Sequence, residues 1–115
     1  MQLIQKKCLP CDARTPKLSV EQVQTLAQQV PLWHVIEETE QPPKIQRHFK
    51  FPDFVAAVGF INRVAALAEA EAHHPDLFVS YSKVDVTLWT HAIGGLSEND
   101  FILAAKIDRL EDQPR

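Results

Sequence analysis

The chain has 115 residues, 45% of them hydrophobic and 23% charged, which describes one ordinary globular domain with a single modest core. Its formal net charge of −3 gives no basic footprint for nucleic acid or for an anionic membrane. The most apolar stretch, residues 54–68, is broken by Gly59, Asn62 and Arg63 and is too short to cross a bilayer. No nucleic-acid or membrane partner is therefore expected. Lys6 and Lys7 are not followed by an apolar run, so no signal peptide is expected and the cytoplasm is the expected location.

Residues 1–18 carry Pro10, Pro16 and mixed charges without a period, and read as an N-terminal arm ahead of one domain over 19–112. Cys8 and Cys11 form a C-x-x-C within that arm. A structural zinc site needs four ligands, and no second C-x-x-C or H-x-x-H is present. A redox pair would follow a strand and open a helix, which this one does not. The pair reads as reduced thiols on a loosely held arm. Ser19 with Gln22 forms a capping box that opens a helix over about 20–29, ended by Pro31. Residues 32–39 and 44–51 are expected strands joined by a turn at Gln41–Pro42–Pro43. In the second, Ile45, Phe49 and Phe51 alternate with Lys44, Gln46, His48 and Lys50, as in a strand with one wet face.

Pro52 and Asp53 suit a helix start. Phe54, Val58, Ile61, Val64 or Ala65, and Ala68 then recur at helical spacing, giving a long helix over 53–72 with that stripe inward. A hairpin follows, with strands 77–81 and 84–92 and a turn near Ser82–Lys83. In the second strand Val84, Val86 and Leu88 should face the core, and Asp85, Thr87, Trp89 and His91 the other side. Gly94 and Gly95 stop it, and Ser97 with Asp100 caps a last helix over about 98–110. The order α-β-β-α-β-β-α predicts an α+β domain, with three helices packed on one face of a four-stranded antiparallel sheet.

Chemistry concentrates at the junction between the long helix and the second hairpin. Pro75 forces the residue before it out of the helical region, so the helix must stop at about His73 and the two imidazoles of His73 and His74 diverge. The hairpin folds His91 back toward them. Glu69 precedes His73 by four residues, which on a continuous helix puts its carboxylate on the His73 face, where it would fix the tautomer. Imidazole is the side chain whose charge changes near neutral pH, which suits proton transfer. Three readings remain open on spacing alone: an acid–base site, a metal site built from two or three histidines and a glutamate, or structural histidines. H-H-P disfavours metal, because paired ligands usually come as H-x-H on a strand or H-x-x-x-H on a helix. Asp100 reads either as a helix cap or as a ligand contact.

Glu69, three residues, His73–His74–Pro75, five residues, Tyr81, nine residues, His91, eight residues and Asp100 together resemble the signature of the pterin-4a-carbinolamine dehydratases. The likeness extends over roughly 19–110, through K-V-D-V-T-L-W-T-H and G-L-S-E-N-D-F-I-L-A. Trp89 and Leu77 depart from the animal enzymes, which have serine and tryptophan there. The resemblance implies an α+β hydro-lyase that converts 4a-hydroxytetrahydropterin to quinonoid dihydropterin and water. It would need neither metal nor cofactor and would recycle the pterin of aromatic amino acid hydroxylases. It implies that His73 and His91 transfer protons and that His74 holds the pterin, with Thr90, Tyr81 and Trp89 also contacting substrate and Glu69 and Asp100 in support. It also implies a homodimer or homotetramer. The alternative on the same fold is a non-catalytic protein-binding or assembly factor. Such assembly relatives have lost much of the histidine site, whereas this chain retains all three.

Overall fold

The computed structural model describes residues 2–10 and 12–111, so the Cys8–Cys11 pair as a unit lies outside the described residues. Helix α1 (Val20–Ala27) opens on the expected capping box: Gln22 N–H donates to Ser19 Oγ at 3.2 Å and Ser19 N–H donates to Gln22 Oε1 at 2.8 Å. Strands β1 (His34–Ile36) and β2 (Lys44–Lys50) form the first hairpin, and β3 (Asp76–Ser80) and β4 (Lys83–Leu88) the second. Between the hairpins runs α2 (Phe54–Glu71), capped where Ala56 N–H donates to Asp53 Oδ1 at 2.8 Å. Helix α3 (Glu98–Glu111) follows. The sheet order β1-β2-β4-β3 puts β2 and β4 in the centre, antiparallel throughout, with Ile45 opposite Leu88 and Phe49 opposite Val84. This is the α+β architecture expected.

Ile45 and Phe49 of β2 join Val84, Val86 and Leu88 of β4 in the core, as the alternation requires. The stripe on α2 differs from expectation. Ala57, Phe60, Val64 and Ala68 are buried, while Phe54 is 51% exposed and Val58 and Ile61 are only half-buried. The helix is apolar on more than one side, so its period admits two inward faces. The aromatic cluster selects between them: the Phe60 ring lies 4.6 Å from Phe49 and 5.0 Å from Phe51, centroid to centroid.

Arg47 occupies an inward position between Ile45 and Phe49 and is 8% exposed. Its guanidinium donates to Asp108 Oδ1 and to Glu111 Oε1, both at 2.6 Å, and Trp33 Nε1 donates to the same Asp108 oxygen at 2.8 Å. A buried charge of this kind is tolerated because the guanidinium makes charge-assisted hydrogen bonds to two carboxylates and lies over the Phe49 ring. This network fastens the end of α3 to the sheet.

The N-terminal segment is docked, which corrects the expectation of a loose arm. Leu3 and Cys8 are buried in the core. Cys8 N–H donates to Glu71 Oε1 at 2.8 Å, and Leu9 exchanges two hydrogen bonds with the side chain of Asn99. Lys7 Nζ reaches the Ala70 carbonyl at 3.0 Å, at the open end of α2. The arm carries no hydrophobic period because it adopts no long regular element. It is held by isolated hydrogen bonds to side chains far away in sequence.

Glu71 is the anchor of this docking. It is 8% exposed and accepts from Lys106 Nζ at 2.9 Å as well as from Cys8. Burial would raise its pKa, but the Cys8 amide, Lys106 and Lys7 together hold it below the ordinary value of 4.5. A depressed folded pKa means stability that is present above the unfolded value and lost as pH falls through the folded one. Asp108 runs the other way: burial raises it above 3.8 against the pull of Trp33 and Arg47, so its contribution fades as pH rises. Glu71→Gln should therefore lower stability at pH 7 by about 1–3 kcal/mol. It should also flatten the loss of melting temperature expected in wild type below the ordinary value of 4.5. An unchanged acid limb in thermal melts of the variant would show that Glu71 does not link the arm to the helices.

Candidate active site

The backbone at the end of α2 decides where the histidines point. Ala72 takes a left-handed conformation with φ of 54°, and its N–H and that of His73 still reach back to the last helical carbonyls. The chain then leaves the helix axis, and Pro75 keeps it extended into β3. His73 turns inward and is 7% exposed, whereas His74 turns outward with a side chain 61% exposed.

His73 Nε2 lies 2.7 Å from Asp100 Oδ1. Asp100 is completely buried on the first turn of α3, and its other oxygen accepts from Ser97 N–H at 2.9 Å and from Thr90 Oγ1 at 2.8 Å. Thr90 in turn lies 2.7 Å from Ser97 Oγ, and since Thr90 donates to Asp100 it accepts from Ser97. With the carboxylate ionised, Nε2 of His73 is the protonated nitrogen, so this hydrogen bond favours one tautomer and ring orientation. Asp100 is thus both the cap of α3 and the support of His73.

Glu69 pairs with His74 and not with His73. Its Oε2 lies 2.5 Å from His74 Nε2. The expected i, i+4 contact to His73 fails because the helix ends at Glu71, and the left-handed Ala72 rotates the next residues out of register. Both groups of the Glu69–His74 pair are mostly exposed, so solvent and salt screen it.

Strand β4 stops at Leu88, three residues before His91, where a strand through 92 was expected. Thr90 instead makes a bridge to Gly95, with Thr90 N–H donating to the Gly95 carbonyl at 2.7 Å. That neck closes a short loop whose tip is a single 3-10 turn, His91–Ile93. Gly94 at its end has φ of +59° with open space around it, so it is the backbone conformation that requires glycine there. The tight turn brings the His91 ring onto the indole of Trp89, 3.9 Å between centroids and 26° apart. In a continuous strand these residues would stand two positions apart on one face, too distant to stack. The His91 ring makes no hydrogen bond to the described residues.

His73, His74, His91, Trp89 and Thr90, with Ala72 and Ala92, line one cavity of about 290 Å³. Glu69 and Asp100 stand behind two of its imidazoles. Tyr81 is not brought to it: 69% exposed, with φ of 54°, it forms the hairpin turn at the far end of β3 and β4. Two contacts escaped the sequence reading. Trp89 Nε1 donates to Asp76 Oδ2 at 3.0 Å, and Lys44 Nζ lies 5.2 Å over the same indole. The signal for Lys44 was its phase, since it shares the outward face of β2. Nothing local marked Asp76. Among the described residues no group of three or more His, Cys, Asp or Glu is placed to hold a metal ion.

The geometry can be set beside known proteins. The family model described as "Pterin 4 alpha carbinolamine dehydratase" matches residues 16–110. A protein of Rubrobacter xylanophilus, provisionally named pterin-4-alpha-carbinolamine dehydratase, is 42% identical over 95% of this chain and 98% of its own. One of the same provisional name from Nitrosococcus oceani is 45% identical over 90% of this chain and 91% of its own. Among solved structures, a transcriptional coactivator/pterin dehydratase from Brucella melitensis superposes with a TM-score of 0.75 at 35% identity, over 83% of this chain and 98% of that one. A pterin dehydratase-like protein described as a RuBisCO assembly factor in the alpha-carboxysome superposes at 0.60 with 25% identity, over 71% and 92%. With the family model matching residues 16–110 and a relative 42% identical over 95% of the chain, the chain belongs to the pterin 4 alpha carbinolamine dehydratase family.

Proposed function

We propose that the protein dehydrates 4a-hydroxytetrahydropterin to quinonoid dihydropterin and water, by acid–base catalysis at His73, His74 and His91. The observation that carries this reading is the convergence of three imidazoles on one cavity in three different states. One is buried and locked by Asp100, one is exposed and tethered by Glu69, and one is stacked on Trp89 without a hydrogen bond to the described residues.

The lone pair on N5 of the pterin forms the C4a–N5 double bond as the C4a–O bond breaks. The departing oxygen takes a proton and leaves as water, and the proton on nitrogen passes to a base. His91, with its ring nitrogens uncommitted to the described residues, moves one of these protons. His73, held in a single tautomer, handles the other. His74 stands at the mouth and binds the pterin near its hydroxyl, with Trp89 giving the flat ring an apolar wall. Thr90, although it lines the cavity, spends its hydroxyl on Asp100 and Ser97, so its part is to hold Asp100 and not to touch substrate. Tyr81 would meet substrate only across a contact between subunits. The substrate is the spent cofactor released by pterin-dependent aromatic amino acid hydroxylases, so such a hydroxylase is the functional partner, in the cytoplasm.

The test is turnover of a freshly generated carbinolamine. His91→Ala and His74→Ala should each lower kcat/KM, the former by about 10²–10⁴-fold. Both should melt close to wild type, because each ring is exposed. His73→Ala should lower activity and stability together, since it strands a fully buried carboxylate. The assembly factor among the structural neighbours suggests a non-catalytic role on this fold. No turnover in wild type would favour that role instead, and full activity in the His91 variant would overturn the part given to His91.

We also infer a homo-oligomer, dimer or tetramer. Strand β3 is an unpaired edge, and Leu77, Phe78 and Val79 on it are 37%, 65% and 39% exposed. An apolar edge of this kind is a template for a second strand, and a second copy of the chain is the natural occupant. Light scattering at micromolar concentration should give a multiple of 13.0 kDa, reduced to the monomer mass in Phe78→Lys. A wild-type protein that scatters as a monomer would overturn the inference.

A further inference from the structure

Backbone and stack together place His91: the Thr90–Gly95 bridge pins its loop, and the indole of Trp89 sets its ring plane. What fixes the indole therefore fixes the imidazole. Trp89 lies one residue beyond the end of β4, half-buried and packed against the core. Such packing confines the ring without choosing one rotation about its side-chain bonds. Lys44 Nζ, 5.2 Å from the ring centroid, adds an attraction toward the face that is equally indifferent to rotation in the plane. The directional contact is the hydrogen bond that Trp89 Nε1–H donates to Asp76 Oδ2 at 3.0 Å.

The register of the hairpin explains why Asp76 can make it. Asp76 opens β3 opposite Thr87, so the two side chains share one side of the sheet, and Trp89 comes two residues after Thr87. A cross-strand diagonal of this kind spans about 7–8 Å, within reach of an aromatic side chain. Asp76 also follows Pro75 directly, so it belongs to the segment that carries His73 and His74. The chain that places two of the imidazoles thereby reaches across to align the third.

Resting on the catalytic reading above, we propose that Asp76 is a positioning residue for His91, acting through the Nε1–H of Trp89. It works at one remove from the chemistry. Its carboxylate holds the indole on which the His91 ring stacks, 26° between planes, so that the ring nitrogens keep one direction. What Asp76 contributes is an acceptor in a set place and not a charge, so an amide oxygen there serves as well.

The test compares Asp76→Ala, which removes the acceptor, with Asp76→Asn, which keeps an acceptor oxygen and drops the charge. In the full-length protein the His91 ring protons, identified by their loss in His91→Ala, should carry the upfield ring-current shift of an imidazole over an indole. That shift should shrink in Asp76→Ala and return in Asp76→Asn. Turnover of the carbinolamine should follow it. In Asp76→Ala kcat should fall about 10-fold, since a misplaced catalytic group costs up to about 10²-fold, and Asp76→Asn should restore it. In the His91→Ala background Asp76→Ala should cost nothing more, because the group it aligns is gone. An unmoved shift in Asp76→Ala, failure of Asp76→Asn to rescue, or a full further loss in the His91→Ala background would each overturn the proposal. So would a lost stack with undiminished kcat. A shift that falls in Asp76→Ala and returns in Asp76→Asn, in a protein that turns over no carbinolamine, would uphold the alignment and sink the catalytic reading, so the two failures are distinguishable.

Discussion

A fully buried carboxylate sets the terms for this structure. Removing an ionised Asp from water is tolerated only if its oxygens are occupied by donors, since an unpaired buried charge costs far more than a few hydrogen bonds return. Asp100 meets the condition with donors from three separate places: the Ser97 amide at the start of α3, the Thr90 hydroxyl at the end of the sheet, and His73 just past α2. Because each donor comes from a different segment, satisfying the charge also fixes the three segments relative to one another. The cavity is built on that junction. His73 and Thr90 both line it, and the loop carrying His91 begins at Thr90.

A second buried acid does comparable work one step away. Glu71, the last residue of α2, binds Lys106 of α3 and the Cys8 amide of the arm. Asn99, adjacent to Asp100, is held by Leu9 from that same arm. The described residues of the arm therefore brace both partners of the His73–Asp100 pair from behind. The two helices are joined at this end mainly by charges and hydrogen bonds, which are directional. Apolar contact alone would allow α2 to slide or rotate on α3, as the ambiguous stripe of α2 illustrates. Directional contacts forbid it.

The elements and their order were legible because each carries a local signal: the capping box at Ser19, the alternation in β2, the proline after the histidine pair. The convergence of His73, His74 and His91 was legible too, from the helix stop and the hairpin. What escaped were features settled by one residue's backbone or by long-range contacts. Ala72 in the left-handed region diverts Glu69 from His73 to His74, and alanine gives no warning of that conformation. The phase of β2 pointed Arg47 inward between Ile45 and Phe49, yet a charged residue reads as outward until its acidic partners on α3 are known. The docked arm, too, depends on single bonds spanning some ninety positions, which no period can reveal.

The departure of His91 from the expected strand is the difference with most bearing on chemistry. As part of β4 it would share the rigidity of the sheet and point away from the core beside Trp89. Released into a turn pinned by the Thr90–Gly95 bridge, it folds back and stacks on the indole instead. A stacked imidazole keeps its ring plane fixed while its nitrogens, which lie in that plane, stay at the edges. The ring is thus oriented without consuming a donor or acceptor, whereas a hydrogen bond of the kind that holds His73 or His74 occupies one nitrogen. Stacking of this kind leaves both ring nitrogens of His91 at the edge, and in this chain Trp89 provides it. The same indole is tied to β3 by Asp76 and overlaid by Lys44 of β2. The orientation of His91 therefore rests on the outer face of the sheet, while that of His73 rests on the buried acid beneath it.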